Sequence, residues 1–589
     1  MRDEDKTIED CGRSAGEPAF AAESAAAAYR QWLEYPDLDE ATRSALLQMQ
    51  GRPDLIRQHF GAELTFGTGG MRGVIGPGTN RLNIYLVRRL TQGLANYLNR
   101  RATEGTMQSV AIAYDTRAYS REFATEAALV LAANGIKGLL FAGVRPTPEL
   151  SFAIRERRCA AGIVITASHN PPQYNGYKVY GPDGGQAVSP FIDELIEEIA
   201  AVDLFAGVRT MERAAAEEQG LLELIGEQLD SHYIAALHTL SLSQPAEPLT
   251  VVYTPLHGTG AVLLPRLLNS SGYIEVIPVA EQMLPDANFS TVKVPNPEEP
   301  AAFTMALALA RQYEADLVLA TDPDCDRVGC AVRGSEGEYT LLTGNQTGAL
   351  LLEYILGRLQ DRGTLPPDGV MVKTIVTGDL GRRVADAYGV RTEETLTGFK
   401  YIGAKIEEFE KAGTGTFLFG YEESYGYLAG TFVRDKDALG TSLLLCEAAA
   451  YYKEKGMTLL QLLEELSRRY GYFREDLVSL ELEDLSKADQ LMCSFAQMPP
   501  LLDGVKLTEK RDYYEGKAWL LPDGTEKELT LPRSKVLYYR LADDSWFCIR
   551  PSGTEPKIKI YFSVNAAAAA EADQKLQRLK KAVLTAAGL

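Results

Sequence analysis

After Gly61 the sequence alternates short apolar runs with amphipathic, helix-period segments, and this alternation constrains the fold more than any other feature. The run Val110–Tyr114 leads into a polar turn and then an amphipathic stretch, Glu122–Ala133. Such an order of strand, loop and helix predicts an α/β protein with parallel or mixed sheets, whose functional loops follow the strand ends. Four further runs are predicted to be buried strands: Leu139–Ala142, Gly162–Thr166, Val251–Tyr253 and Leu317–Ala320.

The 589-residue chain is long enough for several domains, at about 100–200 residues each. Residues 1 to about 25 are predicted to be disordered, Ala25–Phe60 to form a helical arm and Ala566–Ala586 to form a last helix. Stretches typical of linkers lie near residues 241–248, 362–369 and 498–502. The predicted division is a tail and arm (1–60), domain 1 (61–245), domain 2 (246–367), domain 3 (368–498) and domain 4 (499–589).

The charge and cysteine content exclude some classes of partner and place the protein in a compartment. A net charge of −20 argues against a nucleic-acid partner, and an anionic substrate then needs positive groups concentrated in one cleft. The sequence has no apolar run long enough to cross a membrane, so no membrane partner is expected. Seven scattered cysteines form no C-x-x-C pair, which is typical of a protein in the reducing cytoplasm.

The segment Thr166–Lys178 (TASHNPPQYNGYK) is a candidate phosphoryl-transfer loop. The predicted strand places Ser168 on a loop that two prolines stiffen, and a serine hydroxyl so held can carry a phosphoryl group without reorganisation. Lys178 can donate or accept a proton nearby. From spacing alone a polar turn with a hydrogen-bonded His169 is the stronger interpretation, and a Ser–His hydrolase dyad is disfavoured because adjacent residues cannot easily align.

A second segment, Thr321–Gly329 (TDPDCDRVG), carries three alternating carboxylates directly after a predicted strand. Asp322, Asp324 and Asp326 repel one another unless a cation lies between them, and hard oxygen ligands of this kind suit Mg²⁺. An EF-hand is excluded because Arg327 stands at the position of its glycine and Arg333 at that of its last glutamate. A solvated acidic turn is the alternative, and the buried strand that precedes the loop favours the metal site.

Three further segments are ambiguous when each is taken alone. In Glu63–Gly73 (ELTFGTGGMRG), Arg72 can contact a phosphate, although a plain glycine turn is the better interpretation of the segment alone. In Gly420–Gly426 (GYEESYG), Glu422 and Ser424 can bind sugar hydroxyls or begin a helix. Arg550–Lys557 (RPSGTEPK) offers guanidinium, hydroxyl and backbone N–H donors to an oxyanion, or forms a Pro/Gly turn.

Together and in this order, the five segments closely resemble the α-D-phosphohexomutase family over residues from about 63 to 562. The resemblance implies a four-domain α/β architecture, with three mixed α/β sheet domains and a smaller C-terminal α+β domain around one cleft. It also implies that Ser168 is the phosphoserine and binds Mg²⁺ together with Asp322, Asp324 and Asp326. The catalytic group implied is Ser168, His169, Lys178 and Arg72, and the substrate-binding group is Arg327, Thr397, Gly398, Lys400, Glu422, Ser424, Lys436, Arg550, Ser552, Gly553 and Thr554.

Within the family, the length, the N-terminal arm and the string Glu422–Gly426 are similar to the longer bacterial phosphoglucomutases. That similarity implies interconversion of glucose 1-phosphate and glucose 6-phosphate through a bisphosphate, with glucose 1,6-bisphosphate as activator. Phosphopentomutase and phosphomannomutase activities, which share the mechanism, are the alternatives, and a non-catalytic sugar-phosphate-binding protein is disfavoured. The expected partners are small sugar phosphates. One departure is Cys325, which stands where the family usually has alanine or glycine.

Overall fold

The computed structural model describes residues 20–67, 70–103, 107–482, 485–499, 501–521, 523–551 and 557–589. Most of the segment predicted to be disordered therefore lies outside the described residues. Its last part is helical, because helix α1 begins at Phe20, so the prediction of disorder up to about residue 25 is wrong there. No helix within the described ranges is long and apolar enough to span a bilayer.

The N-terminal arm packs on domain 1 through an aromatic cluster. Trp32 is buried and makes edge-to-face contacts with Phe60, Tyr85 and Phe205 at ring distances of 5.4–5.8 Å. Aromatic pairs in this geometry add to the stabilisation that comes from their buried area. The helical arm is confirmed as three helices: α1 (Phe20–Glu34), α2 (Glu40–Gln48) and α3 (Pro53–Phe60).

Replacing Trp32 with alanine is expected to lower the free energy of unfolding by about 3–5 kcal/mol, because it leaves a cavity inside this cluster. Urea unfolding monitored by circular dichroism measures the change. Leu47→Ala is the matched control, since Leu47 is 50% exposed in the same arm. Equal effects of the two substitutions would contradict a packed role for the arm.

The first sheet carries the predicted serine loop and has the strand order β1-β5-β4-β2-β3-β6. Strands β2, β3, β4 and β6 are parallel, whereas β5 runs antiparallel to both β4 and β1. Its elements are β1 (Gly70–Val74), α4 (Ile84–Arg101), β2 (Ser109–Tyr114), α5 (Ser120–Ala133), β3 (Lys137–Phe141), α6 (Thr147–Glu156), β4 (Ala161–Ile165), β5 (Tyr174–Tyr180), α7 (Phe191–Ala200), α8 (Arg213–Glu218), β6 (Leu222–Ile225) and α9 (Glu227–His238).

The second sheet carries the aspartate loop and has the order β11-β10-β9-β7-β8. Strand β9 pairs parallel with β7 and antiparallel with β10, so the aspartates occupy the loop that joins β9 and β10. Its elements are β7 (Leu249–Thr254), α10 (Gly260–Asn269), β8 (Ile274–Pro278), α11 (Thr304–Tyr313), β9 (Leu317–Thr321), β10 (Val328–Arg333) and β11 (Tyr339–Leu341), with short 3-10 helices at Ala280–Gln282 and Pro300–Phe303.

The third sheet has the order β13-β12-β14-β15, and its β14–β15 hairpin carries the predicted sugar-binding string. Helix α12 packs closely on this sheet, because a Cβ atom added to Gly348 would lie 2.4 Å from the Tyr421 ring. The elements are α12 (Gly344–Asp361), β12 (Gly369–Thr374), α13 (Leu380–Ala387), β13 (Arg391–Thr395), α14 (Phe399–Ala412), β14 (Thr416–Glu422), β15 (Gly426–Ala429), α15 (Ala438–Glu454) and α16 (Leu459–Tyr470).

The fourth sheet is strand-rich and antiparallel, in the order β16-β23-β22-β21-β18-β19-β20, and β17 pairs with β18. Its first strand, β16, precedes in sequence the linker that was predicted near residue 498. The predicted domain boundaries remain predictions. The elements are β16 (Tyr472–Glu481), α17 (Leu485–Ala496), β17 (Leu501–Leu502), β18 (Val505–Asp512), β19 (Lys517–Leu520), β20 (Thr525–Glu528), β21 (Leu537–Leu541), β22 (Trp546–Pro551), β23 (Lys557–Ala566) and α18 (Ala569–Ala586).

The five predicted strands and the last helix are confirmed, with ends shifted by one to three residues. The predicted fold class is also confirmed, because three mixed α/β sheets precede one mostly-strand C-terminal sheet. Short apolar runs predict these five strands well, because helices bury each strand on both faces. A strand buried on both faces requires apolar residues at successive positions.

Candidate active site

The Ser168 loop leaves the carboxyl end of β4 and turns sharply. Ser168 is 3% exposed and adopts a left-handed backbone conformation, with φ of +51°. Its N–H donates to Thr166 Oγ1 at 2.8 Å, and its hydroxyl donates to Asp322 Oδ2 at 2.6 Å. His169 Nδ1 lies 3.2 Å from the same hydroxyl. A strained residue held by surrounding structure is typical of a functional site.

The three aspartates form a buried group on the β9–β10 loop. One carboxylate oxygen from each of Asp322, Asp324 and Asp326 lies within 4.8 Å of the others. The second carboxylate oxygen of Asp322 accepts hydrogen bonds from the N–H groups of Asp326 and Arg327, at 3.1 and 3.0 Å. The loop therefore folds around its own first carboxylate, and Cys325 lets it turn by adopting a φ of +54°.

The electrostatics of the aspartate group fit a divalent cation. Burial and the charges of Asp324 and Asp326 raise the pKa of Asp322 well above its ordinary value. Asp324 Oδ1 and Asp326 Oδ1 are buried and have no hydrogen-bond partner. Buried carboxylate oxygens that lack donors are costly, and Mg²⁺ takes oxygen ligands of this kind. The donor set therefore fits Mg²⁺.

Two lysines bind the outer side of the aspartate group. Lys178 Nζ lies 3.1 Å from Asp324 Oδ2 and 3.9 Å from Asp326 Oδ2, and Lys436 Nζ lies 3.0 Å from Asp326 Oδ2. Although burial acts in the opposite direction, the Lys178 and Lys436 ammonium groups lower the pKa of Asp324. Lys178 lies on β5 of the first sheet and Lys436 in the loop between β15 and α15, so residues from three parts of the chain meet at the aspartate group.

Strand pairing in the first sheet explains why Arg72 lies near the serine loop. Strand β5 joins β4 to β1, which carries Arg72. The Arg72 Nη1 atom donates to Asn170 Oδ1 at 2.7 Å. Burial, followed by the positive charges of Arg327 and Arg72, holds the pKa of His169 well below its usual range. The His169 imidazole is therefore neutral in a positively charged corner.

Arg327 connects the aspartate loop to the hairpin of the third sheet. Its Nη1 atom donates to Glu298 Oε1 at 2.6 Å and to the Ser424 carbonyl at 3.1 Å. Its Nε atom lies 3.9 Å from Asp326 Oδ1. Arg327 thus lies where the second and third domains meet, next to the aspartate group.

The predicted sugar-binding string lies at the β14–β15 turn. Glu422 Oε1 accepts a hydrogen bond from the Gly398 N–H at 3.0 Å. The neighbouring Glu423 accepts from the hydroxyls of Thr374 and Thr377 at 3.3 and 3.2 Å. Burial and the charge of Glu422 raise the pKa of Glu423 to about 7. Two carboxyl groups on consecutive residues therefore lie at this turn, and one of them, Glu423, has a pKa near neutral pH.

Glu423 is expected to make stability depend on pH. Because the pKa of Glu423 in the folded protein, about 7, lies above the ordinary 4.5, the folded protein binds the carboxyl proton more tightly than the unfolded protein does. The stabilisation that comes from this bound proton is fully present below about pH 4.5 and is lost as the pH rises through about 7. Glu423→Gln should therefore remove a fall of about 1–3 kcal/mol in the free energy of unfolding between these pH values. Denaturant titrations measure it, with exposed Glu217→Gln as control; identical profiles would contradict the prediction.

The fourth sheet contributes two positively charged residues, Arg550 on β22 and Lys559 on β23, to the candidate site. Arg550 Nη1 donates to Thr397 Oγ1 at 2.5 Å, which joins β22 to the loop before α14. Lys559 lies directly opposite Arg550 in the β22–β23 register. Burial, and then the Arg550 charge, lower the pKa of Lys559. Ser552, Gly553 and Thr554 lie outside the described residues.

Lys400 has a different setting from the other predicted residues. It is buried at the start of α14, its ammonium group lies 4.9 Å from the Tyr401 ring centre, and Asp193 of α7 supplies the opposite charge. Burial lowers the pKa of Lys400 to about 8. The opposite charge of Asp193 comes from the first domain, so Lys400 is influenced by a group outside its own sheet.

Sequence reasoning missed four residues that the structure brings to the site. Thr147 Oγ1 donates to Asp324 Oδ2 at 3.0 Å, and Glu298 binds Arg327. Neither lies in a recognisable motif. Arg117 contacts the backbone of the serine loop; its position directly after strand β2 was a signal, since functional loops follow strand ends. Lys559 could have been found from its place opposite Arg550.

A serine hydroxyl, a carboxylate group and lysines gathered at the ends of α/β strands define a phosphoryl-transfer type of site. The family comparisons agree. Models described as phosphoglucomutase/phosphomannomutase α/β/α domains I, II and III match residues 63–205, 231–336 and 343–470. The chain therefore belongs to the phosphoglucomutase/phosphomannomutase, or α-D-phosphohexomutase, family.

Several relatives match over most of their length. A phosphoglucomutase of Staphylococcus haemolyticus is 39% identical over 86% of this chain and 91% of its own. A phosphoglucomutase of Staphylococcus aureus is 37% identical over 89% of this chain and 93% of its own. Among solved structures, a Paramecium phosphoglucomutase has a TM-score of 0.67 at 18% identity, covering 90% of this chain and 95% of its own. A Burkholderia thailandensis member of the family has a TM-score of 0.66 at 20% identity, covering 90% and 98%.

Proposed function

We propose that the protein is a phosphoglucomutase, which interconverts glucose 1-phosphate and glucose 6-phosphate through phosphorylated Ser168. The observation that carries the proposal is the Ser168 hydroxyl, which lies 2.6 Å from a carboxylate of the aspartate group that Lys178 also binds. The curated relatives named phosphoglucomutase support the choice of substrate. Family membership supports the reaction class.

In the proposed reaction, the bond between phosphorus and Ser168 Oγ breaks while a bond forms from phosphorus to the free hydroxyl of the sugar monophosphate. The proton of that hydroxyl passes to a neighbouring base, and the serine oxygen regains a proton. The bisphosphate then turns over and returns its other phosphoryl group to Ser168. Free glucose 1,6-bisphosphate accordingly activates enzyme that has lost its phosphate.

Each residue group has a proposed task. Asp322, Asp324 and Asp326 hold Mg²⁺ together with the Ser168 phosphate, and bound Mg²⁺ supplies positive charge that offsets the charge of the transferring group. Lys178, His169 and Arg72 are proposed to assist proton and charge transfer at the Ser168 hydroxyl. The residues proposed to bind the sugar and its resident phosphate are Arg327, Thr397, Gly398, Lys400, Glu422, Ser424, Lys436, Arg550, Ser552, Gly553 and Thr554.

Rates with different sugar phosphates test the substrate assignment. We expect kcat/KM for glucose 1-phosphate to exceed those for mannose 1-phosphate and ribose 1-phosphate by at least about tenfold, since a mismatched hydroxyl leaves a buried polar group unpaired. A coupled assay with glucose 1,6-bisphosphate present gives all three values. A preference for ribose 1-phosphate would indicate a phosphopentomutase. We also propose a cytoplasmic location, supported by cysteines that form no disulfide among the described residues.

A further inference from the structure

Arg117 lies under the serine loop, fully out of contact with solvent. It follows strand β2, and its side chain forms an ion pair with Asp115 at 3.2 Å, with both side chains 0% exposed. An arginine is almost never fully buried unless its charge and its donors are engaged. The contacts that engage it therefore indicate what it does.

The Arg117 guanidinium group binds the backbone of the serine loop at four points. Its Nη2 atom donates to the carbonyl oxygens of Ser168 and Asn170, and its Nη1 atom donates to those of Pro171 and Tyr174, at 2.8 and 3.1 Å. Its Nε faces Asp115. The four Nη hydrogens of the fork thus bind loop carbonyls, whereas Nε makes an ion pair with Asp115 without a hydrogen bond. No Nη hydrogen is therefore left to bind a phosphate.

Four carbonyl oxygens that converge on one point repel one another, because each carries the negative end of a dipole. A cation at that point removes the repulsion and fixes the loop. A lysine has three donors on a single nitrogen and cannot reproduce the planar fork that reaches four oxygens. The sharp turn at Ser168, with its left-handed φ, therefore depends on the arginine.

The other face of Arg117 contacts the second domain. Its guanidinium carbon lies 4.9 Å from the centre of the Phe289 ring, which is fully buried. Phe289 belongs to the loop after β8, and this loop is held by His257, which binds Leu284 O and Thr291 Oγ1. A cation over an aromatic face is stabilising when desolvated. Arg117 thus joins the serine loop to the domain that carries the aspartates.

We infer that Arg117 is a positioning residue, which holds the Ser168 hydroxyl in line for phosphoryl transfer against the aspartate loop. The inference rests on the proposed function for its kinetic part. Its structural part stands on the four carbonyl contacts alone. Since a displacement of about 1 Å at the reacting atoms costs on the order of 10²-fold in rate, loss of the fork should reduce kcat far more than it changes KM.

The experiment compares Arg117→Lys with Arg43→Lys. Arg43 is the matched control because its guanidinium also binds backbone carbonyls, those of Tyr35 and Pro36 at 2.9 and 3.0 Å, in the N-terminal arm. For Arg117→Lys we expect kcat with glucose 1-phosphate to fall about 10²-fold while KM changes less than about threefold. Arg43→Lys should retain the wild-type kcat. Guanidinium ion at millimolar concentration should partly restore kcat in Arg117→Ala but not in Ser168→Ala.

Amide hydrogen exchange of the peptide 166–176 provides a readout that needs no turnover. Faster exchange there in Arg117→Lys, with the rest of the chain unchanged, supports the inference even if the wild-type protein does not turn over glucose 1-phosphate. Inactive wild-type protein would overturn the proposed function alone. Unchanged exchange and unchanged kcat in Arg117→Lys would overturn the inference, as would a loss of kcat that only follows global unfolding.

Discussion

Replacing Ser168 with alanine is expected to reduce mutase turnover by at least about 10⁴-fold, the order of loss seen when an enzyme nucleophile is removed. The hydroxyl is the acceptor and donor of the travelling phosphoryl group in the proposed reaction, and alanine has no hydroxyl to replace it. The methyl group of alanine fits the space, so the fold should be retained. A coupled assay of glucose 6-phosphate formation measures the loss.

A control variant separates this chemical effect on turnover from the general effect of removing a serine hydroxyl. Ser231 lies on α9, away from the aspartate group, and its hydroxyl donates to the Glu227 carbonyl at 2.9 Å. Ser231→Ala should keep the wild-type kcat. Turnover by Ser168→Ala at more than a few per cent of the wild-type rate would show that the phosphoryl group travels by another route.

Replacing Asp324 with asparagine is the second change with a large expected effect. The substitution removes one negative charge from a buried group of three, so it should weaken Mg²⁺ binding and reduce kcat by about 10³-fold or more. The same substitution relieves the repulsion that raises the pKa of Asp322. It also breaks the ion pair between Lys178 and Asp324, so the two effects on the metal-free protein oppose each other. We expect the variant to gain less stability from added Mg²⁺ than the wild type does.

Melting temperatures with EDTA and with excess Mg²⁺ measure the stability part, and the coupled assay measures turnover. Asp361→Asn is the matched control, because Asp361 is exposed and pairs with Arg358 at 2.7 Å on α12. That variant should respond to Mg²⁺ as the wild type does. If Asp324→Asn gained as much stability from Mg²⁺ as the wild type, the aspartate group would not be the metal site.

Local sequence patterns were enough to predict many strands of the fold and the candidate metal ligands. The aspartates were predictable because they follow a buried strand directly, so Asp322 and its neighbours must emerge together at the strand end. The meeting of Ser168 with Asp322, 154 positions further along the chain, was not predictable from spacing alone. The family resemblance supplied that connection, since chain topology, and not local propensity, sets which loops face one another.

Other contacts escaped prediction because they depend on packing between domains. Thr147 begins an ordinary helix, and only domain docking brings it to Asp324. Strand β16 precedes a Pro-rich stretch typical of a linker, yet it pairs with β23 in the last sheet. Lys400 follows a glycine in a string that resembles a sugar-binding motif, and the charge of Asp193, which acts on its pKa, lies 207 positions earlier in the chain. In each case the deciding partner is remote in sequence.

Transfer of labelled phosphate tests the central claim most directly. The dephosphorylated protein is mixed with glucose 1,6-bisphosphate carrying radioactive phosphorus, digested, and its peptides are sequenced by mass spectrometry. We expect one labelled site, Ser168, and discharge of that label by unlabelled glucose 1-phosphate at a rate at least equal to kcat. Label on another residue, or discharge from Ser168 more slowly than kcat, would contradict the central claim.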